Sequence, residues 1–160
     1  MKKALSMFVI FLSFKAYGHG PAMKISLPDK DIGTGPAISY LYCKGDKGYA
    51  VNYDTSISKS LFTASLNLKY ININNTTHYG FQTEYTVWLY ANIGGGAGYM
   101  FGKTRGPIFH GFIGCPFGNG GLKTGPFNSF YVEPYYRINY FKKEFIHEIG
   151  IMTKITTYSI

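Results

Sequence analysis

The sequence predicts an all-β protein, an eight-stranded antiparallel up-and-down transmembrane β-barrel, and three observations carry that prediction. The first is a period of two. Between Leu61 and Ile73, Phe62, Ala64, Leu66, Leu68 and Tyr70 alternate with Thr63, Ser65, Asn67 and Lys69. The alternation resumes from Tyr79 to Ile93, where Phe81, Tyr85, Val87, Leu89 and Ala91 oppose Gln82, Glu84, Thr86 and Asn92. Such runs mean strands with one apolar and one polar face, and they are longer than the about 5–6 residues usual in soluble proteins. The second is an export signal at the start of the chain. The third is 15 Tyr and 13 Phe against one Trp, the material for aromatic girdles at two membrane interfaces.

Taken in order, Lys2 and Lys3 precede an apolar run from Ala4 to Phe14, and Ala16-Tyr17-Gly18 offers small residues for cleavage. That run is shorter than the about 20 residues a membrane-spanning helix needs, so residues 1–18 read as a signal peptide. Residues 19–35 have no strong period and read as an N-terminal extension, with the barrel over 36–160. Its strands are expected at 36–43, 48–56, 61–73, 79–92, 95–102, 107–117, 127–141 and 144–157. Gly-, Asn- and Pro-rich turn chemistry or charged pairs separate them: Lys44-Gly45-Asp46-Lys47, Asn74-Asn75-Thr76-Thr77-His78, the Gly94-Gly95-Gly96 run, a long connection over 118–126, and Lys142-Lys143.

Composition excludes several function classes. Loss of residues 1–18 removes Lys2, Lys3 and Lys15 and leaves 13 basic against 8 acidic side chains, or +5. The basic residues are scattered, without the block a nucleic-acid binder carries. His19, His78, His110 and His147 are dispersed with no two at ligand spacing, so neither a metal site nor another cofactor is expected. Gly94–Gly98 lacks the helix and Lys-Ser/Thr pair of a phosphate loop. Gly94, Gly96, Gly98 and Gly102 share the inward parity and are expected to make room for rings such as Trp88 and Phe112. Cys43 and Cys115 fall on the first and sixth strands, which are not neighbours. Both are therefore expected to be free thiols on lipid-facing positions.

Parity assigns the faces. Phe81, Leu89, Phe130 and Ile151 should face lipid, with Leu89→Arg costing about 2–4 kcal/mol if it lies near the midplane. A turn of about four residues around Asn75–His78 would set Lys69 opposite Glu84 and Asn67 opposite Thr86. A turn at Lys142-Lys143 sets Arg137 opposite Glu148, with Glu133 diagonal to Lys154. In a barrel this narrow such pairs satisfy one another and fill the lumen. His110, inward, and His147, outward, are the remaining functional candidates.

An exported meander of roughly 140 residues, eight strands and a charged lumen resembles the small outer-membrane barrels of the OmpA and OmpX type. The resemblance implies the outer membrane of a Gram-negative cell, surrounding lipid and lipopolysaccharide as partners, a monomer, and a structural or interaction role. Three features depart from that pattern: the final Tyr158-Ser159-Ile160 is not aromatic at its end, Pro134 suggests a bulge in the seventh strand, and the longest connection lies on the periplasmic side. A lipid-modifying hydrolase is the runner-up. Tyr136-Arg137-Ile138-Asn139-Tyr140 is similar to the stretch before the His and Ser of lipid A deacylases, but Tyr140 and Lys142 stand where those residues belong, so no catalytic residue is assigned. A soluble exported barrel binding an apolar ligand is a third reading, and it requires the apolar faces to point inward.

Overall fold

The two longest alternating stretches form β3 (Phe62–Ile73) and β4 (Thr76–Trp88). Around them lie β1 (Asp31–Cys43), β2 (Asp46–Lys59), β5 (Asn92–Gly102), β6 (Gly106–Gly114), β7 (Phe117–Thr124), β8 (Phe127–Phe141) and β9 (Glu144–Tyr158). This computed structural model describes residues 31–59, 61–89, 91–124 and 127–158. The expected signal peptide and residues 19–30 of the expected extension lie outside them. β1 begins at Asp31, ahead of the expected position 36. β4 ends at Trp88 and not at 92, so the Gly94–Gly96 run lies inside β5 and is not a turn.

Neighbouring strands pair antiparallel all the way round, and β6 closes the barrel on β8. β6 and β7 are one stave. Ile108 pairs with Phe141 and Phe117 with Val132 in a single register, so β7 continues β6 along β8. Residues 118–124, expected in a connection, therefore extend the sixth stave. The break at Cys115-Pro116 has a physical cause across the ladder. Cys115 N–H donates to Pro134 O at 3.0 Å, and proline has no N–H to return. β8 itself keeps one register against β9 through Pro134–Ile151, so the proline interrupts its partner and makes no bulge in its own strand.

The registers also give the barrel its geometry. A walk through paired residues from Asn92 to Gly114, Tyr135, Gly150, Ser39, Ala50, Ile71 and His78 returns to β5 at Gly102, ten residues along. A stagger of that size over eight staves tilts the strands about 40° from the axis. Strands of 12–15 residues such as β3, β8 and β9 then rise roughly 30 Å, enough for a hydrocarbon core. Three connections at one end are two-residue turns with both residues at positive φ: Lys44-Gly45, Asn74-Asn75 and Lys142-Lys143. Their twist matches that of the flanking strands.

The faces decide the solvent. Phe81, Leu89, Phe130 and Ile151 are 42–59% exposed, while Asn52, Asp54, Asn67, Gln82, Glu133, Arg137, Asn139 and Glu148 are buried. Apolar side chains cover the outside, and the buried charged and amide side chains all lie inside. A water-soluble barrel around an apolar ligand needs the opposite arrangement, and that reading is not supported. Leu89 lies beyond the end of β4, in the turn to β5, so the condition of a midplane position is not met. Cys43 corrects another expectation. It is buried on the inner face among Leu41, Ala50 and Ile146, not lipid-facing. Cys115 is on the outward parity, half-buried, and both thiols are free.

The inward glycines of β5 answer to backbone, not to rings. A β-carbon at Gly94, Gly96 or Gly98 would sit 1.9, 1.8 or 2.0 Å from a carbonyl oxygen of β4. β5 therefore approaches β4 more closely than any side chain permits. Gly96→Ala is expected to cost about 1–3 kcal/mol through this overlap, measured as a lower urea midpoint in lipid vesicles.

Candidate functional site

The lumen is built in tiers. Nearest the tight-turn end, Leu41, Ala50, Ile71, Met100, Ile108, Phe141 and Ile146 pack into an apolar layer. Each lies on the inward parity of its strand, close to where that strand meets its turn. Below this layer the inward positions become polar, and a charged network fills the mid-height of the barrel.

Arg137 on β8 is its hub. Nη2 donates to Glu84 Oε2 at 2.8 Å and Nη1 to Glu148 Oε1 at 3.4 Å. The guanidinium lies over the stacked pair of Phe112 and Tyr135 rings, 5.2 and 5.1 Å from their centroids, which adds a cation–π attraction in a dry setting. Arg137 stands opposite Glu148 in the β8–β9 ladder, where the sequence placed it. Lys69 forms an ion pair with Glu148, and Asn139 donates to the same carboxylate oxygen at 2.9 Å. Ser39, Asn52 and Tyr135 donate to the other oxygen at 3.0, 3.1 and 2.8 Å. Glu148 thus meets six donor groups with about four lone-pair sites. A carboxylate so occupied has nothing left with which to accept a substrate proton.

The expected Lys69–Glu84 pair is not formed. Lys69 faces Gly80 and Glu84 faces Ser65. The turn is Asn74-Asn75 alone, both left-handed, whereas a four-residue turn was expected. The shift is an even number of residues, so every side chain keeps its face while its cross-strand partner changes. Glu84 instead takes Arg137 and His110, whose Nε2 lies 3.0 Å from Glu84 Oε2. An Asn-Asn pair between alternating runs is itself a two-residue turn signal, so the correct register was within reach of the sequence.

A second cluster lies toward the chain termini. Lys154 pairs with Asp54 at 2.5 Å. Glu133, which register places diagonal to Lys154, accepts from Asn92 Nδ2 at 2.7 Å. Asp54 was absent from the sequence reading, although Asn52, Asp54 and Ser56 share the inward parity of β2. His147 faces outward, with Nδ1 2.7 Å from the Tyr136 hydroxyl and the rings stacked at 6.2 Å. Among the described residues neither His110 nor His147 hydrogen-bonds a serine or cysteine. Among the described residues no three His, Cys, Asp or Glu side chains are grouped to hold a metal ion.

The β3–β4 side of the network is less complete. The Asn67 amide and Gln82 Oε1 have no hydrogen-bond partner among the described residues. A buried polar group without a partner costs free energy that an apolar isostere does not. Asn67→Leu is therefore expected to leave stability unchanged or raise it, and Asn139→Leu to lower it, in the same urea titration.

At the tight-turn rim Lys44 pairs with Glu144 at 2.9 Å. The Lys44 ammonium holds the Glu144 carboxyl below the ordinary range, by its hydrogen bond first and its charge second.

No known family profile matches the sequence, and no curated protein matches it. Solved structures similar to this chain include the following three. Neisserial surface protein A (NspA) is 10% identical at a TM-score of 0.45, over 82% of this chain and 97% of that one. The Yersinia pestis outer membrane protein Ail, in a phospholipid bilayer nanodisc, is 11% identical at 0.43, over 78% and 99%. Ail in complex with the heparin analogue sucrose octasulfate is 9% identical at 0.28, over 79% and 97%. The chain's own register, tilt and apolar exterior make it a small transmembrane β-barrel of the outer-membrane type.

Proposed function

We propose that this protein is a monomeric, closed barrel of the Gram-negative outer membrane whose lumen is a structural plug and whose role is interaction at the membrane surface. One observation carries the reading: Glu84, Arg137, Glu148 and Lys69 are ion-paired with one another at mid-height, under an apolar layer. Side chains fill the space a pore needs, and both carboxylates at the centre of the network are held by cationic partners. The tight-turn rim carries Lys44, Lys47, Lys103, Arg105, Lys142 and Lys143 against Asp46 and Glu144, an excess of four positive charges. That excess suits the phosphates of lipopolysaccharide and other anionic lipid.

The test is reconstitution of the folded, heat-modifiable protein into planar bilayers and into vesicles with or without lipopolysaccharide. The expected result is no stepwise conductance, together with salt-sensitive retention of lipopolysaccharide by the barrel. Regular conductance steps would overturn the plug, and release of acyl chains from the lipid would revive the hydrolase reading.

A further inference from the structure

Above the apolar layer the barrel mouth opens into a cavity of about 440 Å³. This is within the size class of small-molecule sites. Its floor is Ile71, Met100, Phe141 and Ile146, and its wall includes Asp46 and Lys142. His78 sits on the same wall, edge-on to Phe141 with centroids 5.5 Å apart, and its Nδ1 is 3.1 Å from Thr104 O. The imidazole thereby ties the β3–β4 hairpin to the β5–β6 connection at the rim.

Three charged side chains line this mouth, Glu144, Lys142 and Asp46, and they are placed differently. Glu144 is neutralised by Lys44. Lys142 is exposed and has no carboxylate within 4 Å among the described residues. It folds back over Gly106, with Nζ 3.4 Å from where a β-carbon would sit on that residue. An unpaired ammonium thus lies across the rim of an apolar-floored cup, within a rim of positive excess. Asp46 stands elsewhere on the lining and repels an anion from its own side, which leaves the Lys142 side for a negative head.

We propose that this cup binds a small amphipathic anion from the medium, an acid head on Lys142 and a short apolar body on Ile71, Met100, Phe141 and Ile146. Burial of the apolar body supplies the affinity and the ammonium supplies the sign selectivity. The charged tier beneath closes the way through, so the cup captures and does not transport.

The test uses full-length protein in nanodiscs of zwitterionic lipid, with octanoate, octanol and octylammonium as probes. The readout is the ¹³C-methyl signals of Met100, in the cup floor, and Met152, packed with Ala37 and Phe112 deeper in the lumen. Octanoate should shift Met100 saturably and leave Met152 in place, octanol should bind more weakly, and octylammonium weakest. Lys142→Glu should weaken octanoate by roughly two- to fivefold, the scale of an exposed ion pair. Lys59→Glu, at the opposite end of the barrel, should not. The proposal is overturned if no saturable shift occurs, if Met152 moves in parallel, if octylammonium binds as well as octanoate, or if Lys142→Glu changes nothing.

Discussion

Arg137→Met should lower the free energy of unfolding by about 3–5 kcal/mol, the cost of breaking a buried ion pair from one side. The side chain is fully buried and holds two carboxylates at once, Glu84 and Glu148. Methionine fills much of the volume but leaves both carboxylates short of a cation. The rescue is asymmetric. Glu148 still has Lys69 and four neutral donors, whereas among the described residues Glu84 keeps only His110 as a side-chain ion-pair partner. Adding Glu84→Gln to Arg137→Met should therefore restore more stability than adding Glu148→Gln, which also strands Lys69. Urea unfolding of the parent protein and these three variants in lipid vesicles measures this. If Arg137→Met leaves unfolding untouched while the lipid A profile of the cell changes, the plug is not the purpose of the network.

The second large effect is on the outer wall. Leu68 lies in the middle of β3, outward and 58% exposed. Leu68→Arg should cost about 2–4 kcal/mol, the depth-dependent penalty for a cation at the bilayer midplane. Leu89 is equally exposed, at 59%, but it sits in the turn after β4. Leu89→Arg should cost only about 0–1 kcal/mol, because the side chain reaches the interface. Folding into bilayers of matched thickness, followed by urea titration, separates the two. Equal penalties would mean that the membrane does not sit where the strand ends place it.

The faces of the barrel were legible in the sequence because side-chain direction in a strand depends only on odd or even position. Phe62 to Tyr70 and Phe145 to Ile155 needed no tertiary information to be placed outside. The Arg137–Glu148 pair was legible for a related reason, since the Lys142-Lys143 turn is tight enough to leave one register. Lys69 and Glu84 were missed because turn length, not parity, decides which inward residues meet, and two residues were read as four. The Cys43 assignment failed where parity was not applied: Leu41 and Cys43 share the face that Ser39 and Ala37 occupy.

The sequence by itself determined an eight-stave antiparallel barrel with an apolar exterior, polar interior and short turns, since these follow from local alternation and turn chemistry. Only the tertiary structure decided which charges meet across the lumen. Lys69 on β3 and Glu148 on β9, or Asp54 on β2 and Lys154 on β9, are not ladder neighbours, and they are brought together by curvature and by a stagger of ten residues around the barrel. It also decided that β6 and β7 are one stave, broken where Pro134 cannot return a hydrogen bond to Cys115. Closure is a property of all the registers at once. No single hairpin contains it.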